Sequence, residues 1–291
     1  MDIGVWDVGA VVVKAALYAT TFAAAGGAFF VCYAGALLGT DERRAIGRGI
    51  EICAAAAVAF SALRILVTAG SMTGDATGMF DTKLIHMVWH SGEDSAVITR
   101  IAGLLLAVRV ALPSRPSLAP AAVGAACAAM SFAWVGHAHA TGDPWTVACI
   151  ALHVGCAAFW IGALGPLAFL ARRADPRRAG AAASRFGQAA VAAVGALVLA
   201  GVFALARFLG HASALWESPY GWAMCVKLAL VAGLLSLAAF NKIRLTPRLS
   251  AGDTGAARSL ERSIYAEMVL AALILLVTAT ITTLIGPPAL E

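Results

Sequence analysis

An all-α, polytopic membrane helix bundle is the fold class this sequence predicts, and three observations carry it. Of 291 residues, 61% are hydrophobic and 13% charged, whereas a soluble domain has about 45–50% apolar and about 25% charged residues. The apolar residues fall in eight continuous runs rich in Ala, Leu and Val, not in the alternating pattern of membrane strands. The basic loop residues also sort to one side of those runs, and all six histidines to the other. Burial in one aqueous core does not account for so little charge over eight runs; crossing a bilayer does.

A span needs roughly 20 apolar residues to cross about 30 Å of hydrocarbon. The runs lie at about 11–38, 49–70, 96–112, 118–137, 146–170, 188–209, 221–241 and 264–286. The first follows MDIGVWDVGAVVVK, which has no basic n-region and no small-residue cleavage site, so it reads as a span and not a removed signal peptide. The third is the shortest and carries Arg100 and Arg109. Between the second and third, residues 71–95 read as the longest external loop. Between the seventh and eighth, residues 242–263 read as a flexible connector around Gly252, Asp253 and Gly255. No soluble domain fits between spans, so residues 1–291 read as one membrane domain.

Charge sets the orientation. The loops after spans 1, 3, 5 and 7 hold fifteen of the 21 basic residues: Arg43, Arg44, Arg48, Arg109, Arg115, Arg172, Arg173, Arg177, Arg178, Arg185, Lys242, Arg244, Arg248, Arg258 and Arg262. The opposite loops and tails hold Lys83 alone. By the positive-inside rule both termini lie outside. The net charge of +5 reads as this topology signal and not as a nucleic-acid surface.

The outer side then collects His86, His90, His137, His139, His153 and His211. His137 and His139 stand in WVGHAHATGDPW, where span 4 ends. Cys149, His153, Cys156 and Trp160 are spaced 4, 3 and 4, which places them on one helical face of span 5. A very short loop joins these two spans, so His137, His139 and His153 are expected to converge near the outer surface. His86 and His90 form a second candidate pair if their segment is helical. His211, Cys149, Cys156, Met72, Met79 and Met87 are secondary candidates, with Glu217 as an alternative partner for His211. Imidazole binds copper, zinc, iron and nickel, while thiolate and thioether favour Cu(I), so the mixture leans toward copper. A single interfacial histidine is more often a polar anchor than a ligand; six on one side reverse that expectation for the group, not for each member. Cys32, Cys53, Cys127 and Cys225 read as small packing residues.

Lys14, Arg64, Arg100, Arg207 and Lys227 fall within or at the edge of spans, where charges are costly and usually paired or functional. Snorkelling to the interface accounts for Lys14 and Arg100. Such cations beside histidines would also suit an anionic cofactor such as haem with its propionates, or a quinone head group. On the inner side only Glu51, Glu267 and arginines stand ready.

Several ordered motifs resemble the copper resistance protein D family (CopD, PcoD). These are GHAHATG after span 4, HVGCAAFWIGALGPL in span 5, RFG before span 6, SPYGWAMCVKLALVAGLLSLAAFNKIRLTPRL across span 7, and RSIYAEMVLAALILL with GPP in span 8. The resemblance is strongest over about 130–288. It implies an eight-span bacterial inner-membrane protein of copper homeostasis, with periplasmic termini, that takes copper from a separate periplasmic CopC-like partner and moves it inward. It implies family positions at His137, His153, Trp160, Arg185, Phe186, Tyr220, Gly221, Lys227, Asn241, Pro247 and Glu267. No Gly-x4-Gly-Lys-Ser/Thr motif occurs, so transport would be passive or coupled to an ion gradient. The expected function is copper handling without catalysis. The alternatives are a haem- or quinone-binding redox protein, whose histidines would ligate haem, and a non-conducting copper-responsive scaffold.

Overall fold

The computed structural model describes residues 4–112 and 118–290; Arg115 lies outside the described residues. Twelve α-helices are described: α1 (Val5–Ala34), α2 (Thr40–Thr73), α3 (Thr82–Val88), α4 (Asp94–Ala107), α5 (Leu118–Met130), α6 (His137–Ala140), α7 (Pro144–Arg173), α8 (Pro176–Leu209), α9 (Ala214–Glu217), α10 (Pro219–Phe240), α11 (Thr246–Ser250) and α12 (Thr254–Leu284). Among the described residues there is no strand. Helices stand at all eight predicted positions. Six of them (α1, α2, α7, α8, α10 and α12, with short helical extensions on α1 and α10) are long and apolar enough to cross a membrane. The chain is thus a multi-pass all-α membrane protein.

The other two, α4 and α5, are shorter. Each continues into a 3₁₀ turn, Val108–Ala111 and Ser131–Trp134. At about 1.5 Å per α-helical and 2.0 Å per 3₁₀ residue, each reaches roughly 27–29 Å.

Helix starts follow from local chemistry. Asp143, Asp175 and Ser218 each accept hydrogen bonds from the first-turn amides of α7, α8 and α10, and each precedes a proline at the first helical position. Proline has no N–H to satisfy there, and its fixed φ suits the first turn. Asp81 and Asp253 cap α3 and α12 in the same way. Glu42 instead reaches back to the Gly39 N–H at 2.7 Å.

Two expected loops are mostly helical. Residues 71–95 hold the end of α2, a 3₁₀ turn (Ala76–Phe80), α3 and a π-turn (Trp89–Glu93) that runs into α4. This stretch is therefore a folded cap, tied down by Trp6 Nε1 donating to the Gly74 carbonyl at 2.9 Å. Residues 242–263 are likewise no flexible connector. A π-turn (Asn241–Leu245) carries α10 into α11, and only 251–253 lie outside a helix before α12 begins. The Arg248–Asp253 ion pair, 2.7 Å, closes that turn.

At the centre stands α1, packed against α2, α4, α5, α7, α8 and α12. Lipid tails are as apolar as leucine, so close packing rather than apolar burial drives helices together in a bilayer. Glycine makes that approach possible at α1–α7: a Cβ on Gly162 would lie 2.0 Å from the Phe22 carbonyl oxygen, and one on Gly26 2.1 Å from that of Ala158. Gly103 and Gly124 let α4 and α5 cross equally closely. Outward, α8 and α10 are only 6% buried over their most apolar stretches, against 39% for α1, α7 and α12. Their apolar faces are the lipid-facing wall.

Arg100 does not snorkel. Its side chain is 0% exposed. It donates through Nε to Ser131 Oγ at 3.1 Å and through a guanidinium nitrogen to Ser61 Oγ at 3.2 Å. Its guanidinium lies 4.1 Å from the Phe132 ring centroid. The helix turns this residue to the α2–α5 side, where two hydroxyls and a ring face replace water.

Replacing Gly162 by Val is expected to force α7 off α1, at the roughly 1–3 kcal/mol typical of overpacking or more. Thermal unfolding of the detergent-solubilised chain checks this: Gly162→Val lowers the midpoint. Gly165→Ala, whose added Cβ meets nothing within 4 Å, leaves it unchanged or slightly raised.

Candidate functional site

The candidate residues divide into a rim pair, a turn and a helix face. At the rim, α3 and the following π-turn place His86 and His90 one turn apart on the same face. Their ring centroids are 4.2 Å apart. His90 Nδ1 lies 3.7 Å from Asp94 Oδ2, so a carboxylate stands beside this one of the two imidazoles. Both rings are exposed, as is Met87 between them. Met72 is exposed at the end of α2, while Met79 lies against Gly70 inside the cap.

The turn between the fourth and fifth predicted spans is α6, a single helical turn that carries His137 and His139. His139 is exposed. The side chain of His137 lies outside the described residues. Asp143, just after α6, caps α7: it accepts from the Trp145 N–H at 3.1 Å, the Thr146 N–H at 3.2 Å and the Thr146 hydroxyl at 2.7 Å. The Thr146 hydroxyl, with the two amides and Arg207 adding to it, holds the Asp143 carboxyl below its usual 3.8.

On α7, His153 turns toward α8. Its Nδ1 is 3.0 Å from the Leu197 carbonyl, and a Cβ on Gly201 would come 3.1 Å from its Cε1. A carbonyl can only accept, so the bond assigns the proton to Nδ1 and leaves Nε2 with its lone pair free. Cys156 faces elsewhere. It lines an apolar cavity of about 300 Å³ with Met130, Phe29 and Phe159. Met130 is a soft donor that the sequence reading passed over; no spacing signal links it to Cys156, because it comes from a different helix. Cys149 is a half-buried free thiol, as is Cys156. His211 sits in the exposed turn after α8. Its expected alternative partner, Glu217, instead accepts from Ser213 Oγ at 2.8 Å. Among the described residues, no three or more His, Cys, Asp or Glu side chains come together as a metal site.

Two of the cations within spans are engaged within the protein. Lys14 Nζ donates to the Thr282 carbonyl at 2.9 Å, and Arg64 pairs with Glu93 at 2.6 Å. Both line a second cavity of about 300 Å³ between α1, α2 and α12, with Asp7, Thr68 and Ser71.

A carboxyl whose folded-state pKa is depressed stabilises above its unfolded pKa and loses that contribution as pH falls through the folded value. The Asp143 cap is therefore complete at neutral pH and is lost progressively below about pH 4. Hydrogen exchange at the Trp145 and Thr146 amides checks this. Protection should fall in that acid range in the wild type, and should already be low at neutral pH in Asp143→Ala.

No curated protein and no solved structure matches the chain. Family comparison does. Residues 5–144 match the family described as copper resistance protein D-like, N-terminal domain, and residues 180–281 match copper resistance protein D. Between them the two matches take in α1 to α6 and most of α8 through α12, with α7 beyond Pro144 lying between them. The chain therefore belongs to the copper resistance protein D family of membrane proteins.

Proposed function

We propose that this chain carries copper inward across a bacterial inner membrane, with eight spans and both termini in the periplasm, and receives the metal from a periplasmic CopC-like protein. The observation that carries the reading is the exposed His86–His90 pair on the folded cap of a copper resistance family member. Two imidazoles one helical turn apart offer two copper donors, and their exposure suits transfer from a partner that supplies the others. The lengths of α4 and α5, each near the thickness of the hydrocarbon, support eight crossings. The one-sided loop arginines support the orientation.

Inward from the rim, donors become softer. His153 offers a free Nε2, and Cys156 and Met130 share a cavity. Thiol and thioether favour Cu(I). The other cavity is lined by Lys14 and Arg64. Its lining holds no imidazole, thiol or thioether, so it offers copper none of the donors that favour it. The path in this reading follows α7, not the α1–α2–α12 cavity. His137 and His139, on the turn leading into α7, stand at its mouth.

Copper accumulation by cells expressing the chain tests the reading. His86→Ala with His90→Ala is expected to lower the initial rate at limiting copper by roughly tenfold to a hundredfold, the scale on which residues of metal sites act, at an unchanged level of membrane-inserted protein. Asp94→Asn should have a smaller effect in the same direction. Accumulation equal to wild type in the double variant rules out the rim as the point of entry.

A further inference from the structure

At the opposite end of the bundle is a buried carboxyl that the copper path does not use. Glu267 is 3% exposed on α12. Asn241, equally hidden at the start of the π-turn that ends α10, donates from Nδ2 to its Oε1. Two more oxygens belong to this stretch: Asn241 Oδ1 itself, and Ser263 Oγ, on the residue one helical turn before Glu267 in α12. Both are buried and have no hydrogen-bond partner among the described residues. Buried polar atoms are nearly always satisfied, and those that are not ask for a water, an ion or a moving proton.

No charged side chain acts on this carboxyl. The titratable groups near this end of the elements packed on it are Tyr33 on α1, Arg172 and Arg173 on α7, Lys242 and Arg244 on the π-turn, and Arg248 on α11. Those on α12 itself are Arg258, Glu261, Arg262 and Tyr265. All but the half-buried Glu261 are exposed. Lys242 is bonded to the Gly187 carbonyl, and Arg248 to Asp253. The donors here are a carboxylate, an amide oxygen and a hydroxyl, all hard oxygen and none suited to Cu(I).

We propose that Glu267 and Asn241 form a reversible proton-binding site at this end of the bundle. An asparagine is the partner such a site needs, because it serves both states. With the carboxylate it donates from Nδ2, as observed. When a proton from water adds to Glu267, the new O–H donates to Oδ1 after the amide turns over, and the orphaned oxygen gains its partner. Release reverses the two movements, and no electron is transferred. A π-turn at this point loosens the α-helical ladder around Asn241, and such turns recur at functional sites. If the copper reading above holds, this is where proton movement would be coupled to copper movement; the proton site itself stands without it.

Infrared difference spectroscopy of the full chain in copper-free lipid nanodiscs, between acidic and alkaline buffer, tests this. A carbonyl band of a buried carboxylic acid should appear on acidification, shift in D₂O and be missing in Glu267→Gln. No such band, or one that persists in Glu267→Gln, overturns the proposal. So does a band that responds to sodium at constant pH, which would mark a metal cation. If Glu267→Gln does not fold, Asn241→Ala decides. The acid's new O–H then loses the amide oxygen it donates to, so its carbonyl band should move to higher frequency than in the wild type; a band at an unchanged frequency overturns the proposal. Because copper is absent, the outcome is independent of whether the chain conducts it.

Discussion

The approach of α7 to α1 across Gly26 and Gly162 is the constraint on which the rest of the bundle depends. In lipid no hydrophobic force favours helix contact over lipid contact, so association rests on close packing and on satisfied polar groups. The crossing supplies the first: each glycine stands where any Cβ would strike the other helix's backbone. With α7 held there, its far side is free to take α8, and His153 reaches the Leu197 carbonyl. The cavity that holds Cys156 and Met130 opens between α1, α5, α7 and α8 for the same reason. A helix held farther out would separate the soft donors and release the histidine.

Polar groups supply the second requirement, and they do so differently at the two ends. Toward the N-terminal end of α1, three deep cations have specific partners: a carbonyl for Lys14, a carboxylate for Arg64, two hydroxyls and a ring face for Arg100. These contacts tie α1 to α12 and α2 to α4 and α5 through groups that cannot be left bare in hydrocarbon. At the other end Glu267 has no cation at all, only an amide. At one end buried cations are held by carbonyl, hydroxyl and carboxylate groups, while at the other a buried acid is held by an amide. That asymmetry suits a protein that receives a cation at one face and must manage charge at the other.

Much of this was legible in the sequence, for physical reasons that differ residue by residue. Asp143-Pro144, Asp175-Pro176 and Ser218-Pro219 announce helix starts because capping and proline's fixed φ are local effects. The spacing of His86 and His90 becomes a pair once residues 82–93 are helical, though their polarity read as a loop. The polar stretch after Asn241 misled in the same way: α-helical and π-turn backbone continues there because Asp253 and Arg248 close the turn, a contact with no hydropathy signature. Arg100 was misplaced because composition tells depth but not which way a helix face turns. The Asn241–Glu267 pair and the Cys156–Met130 cavity each join residues 26 apart on different helices. Only packing brings such residues together, and no spacing rule reports it.

The central claim is that the bundle itself lets copper cross a membrane. Radiolabelled copper flux into liposomes containing the purified chain tests it most directly. The account predicts uptake that saturates with copper concentration and exceeds that of protein-free liposomes of the same lipid. Uptake indistinguishable from the protein-free liposomes, by a chain that still binds copper, would contradict it and leave the family member a copper-binding scaffold.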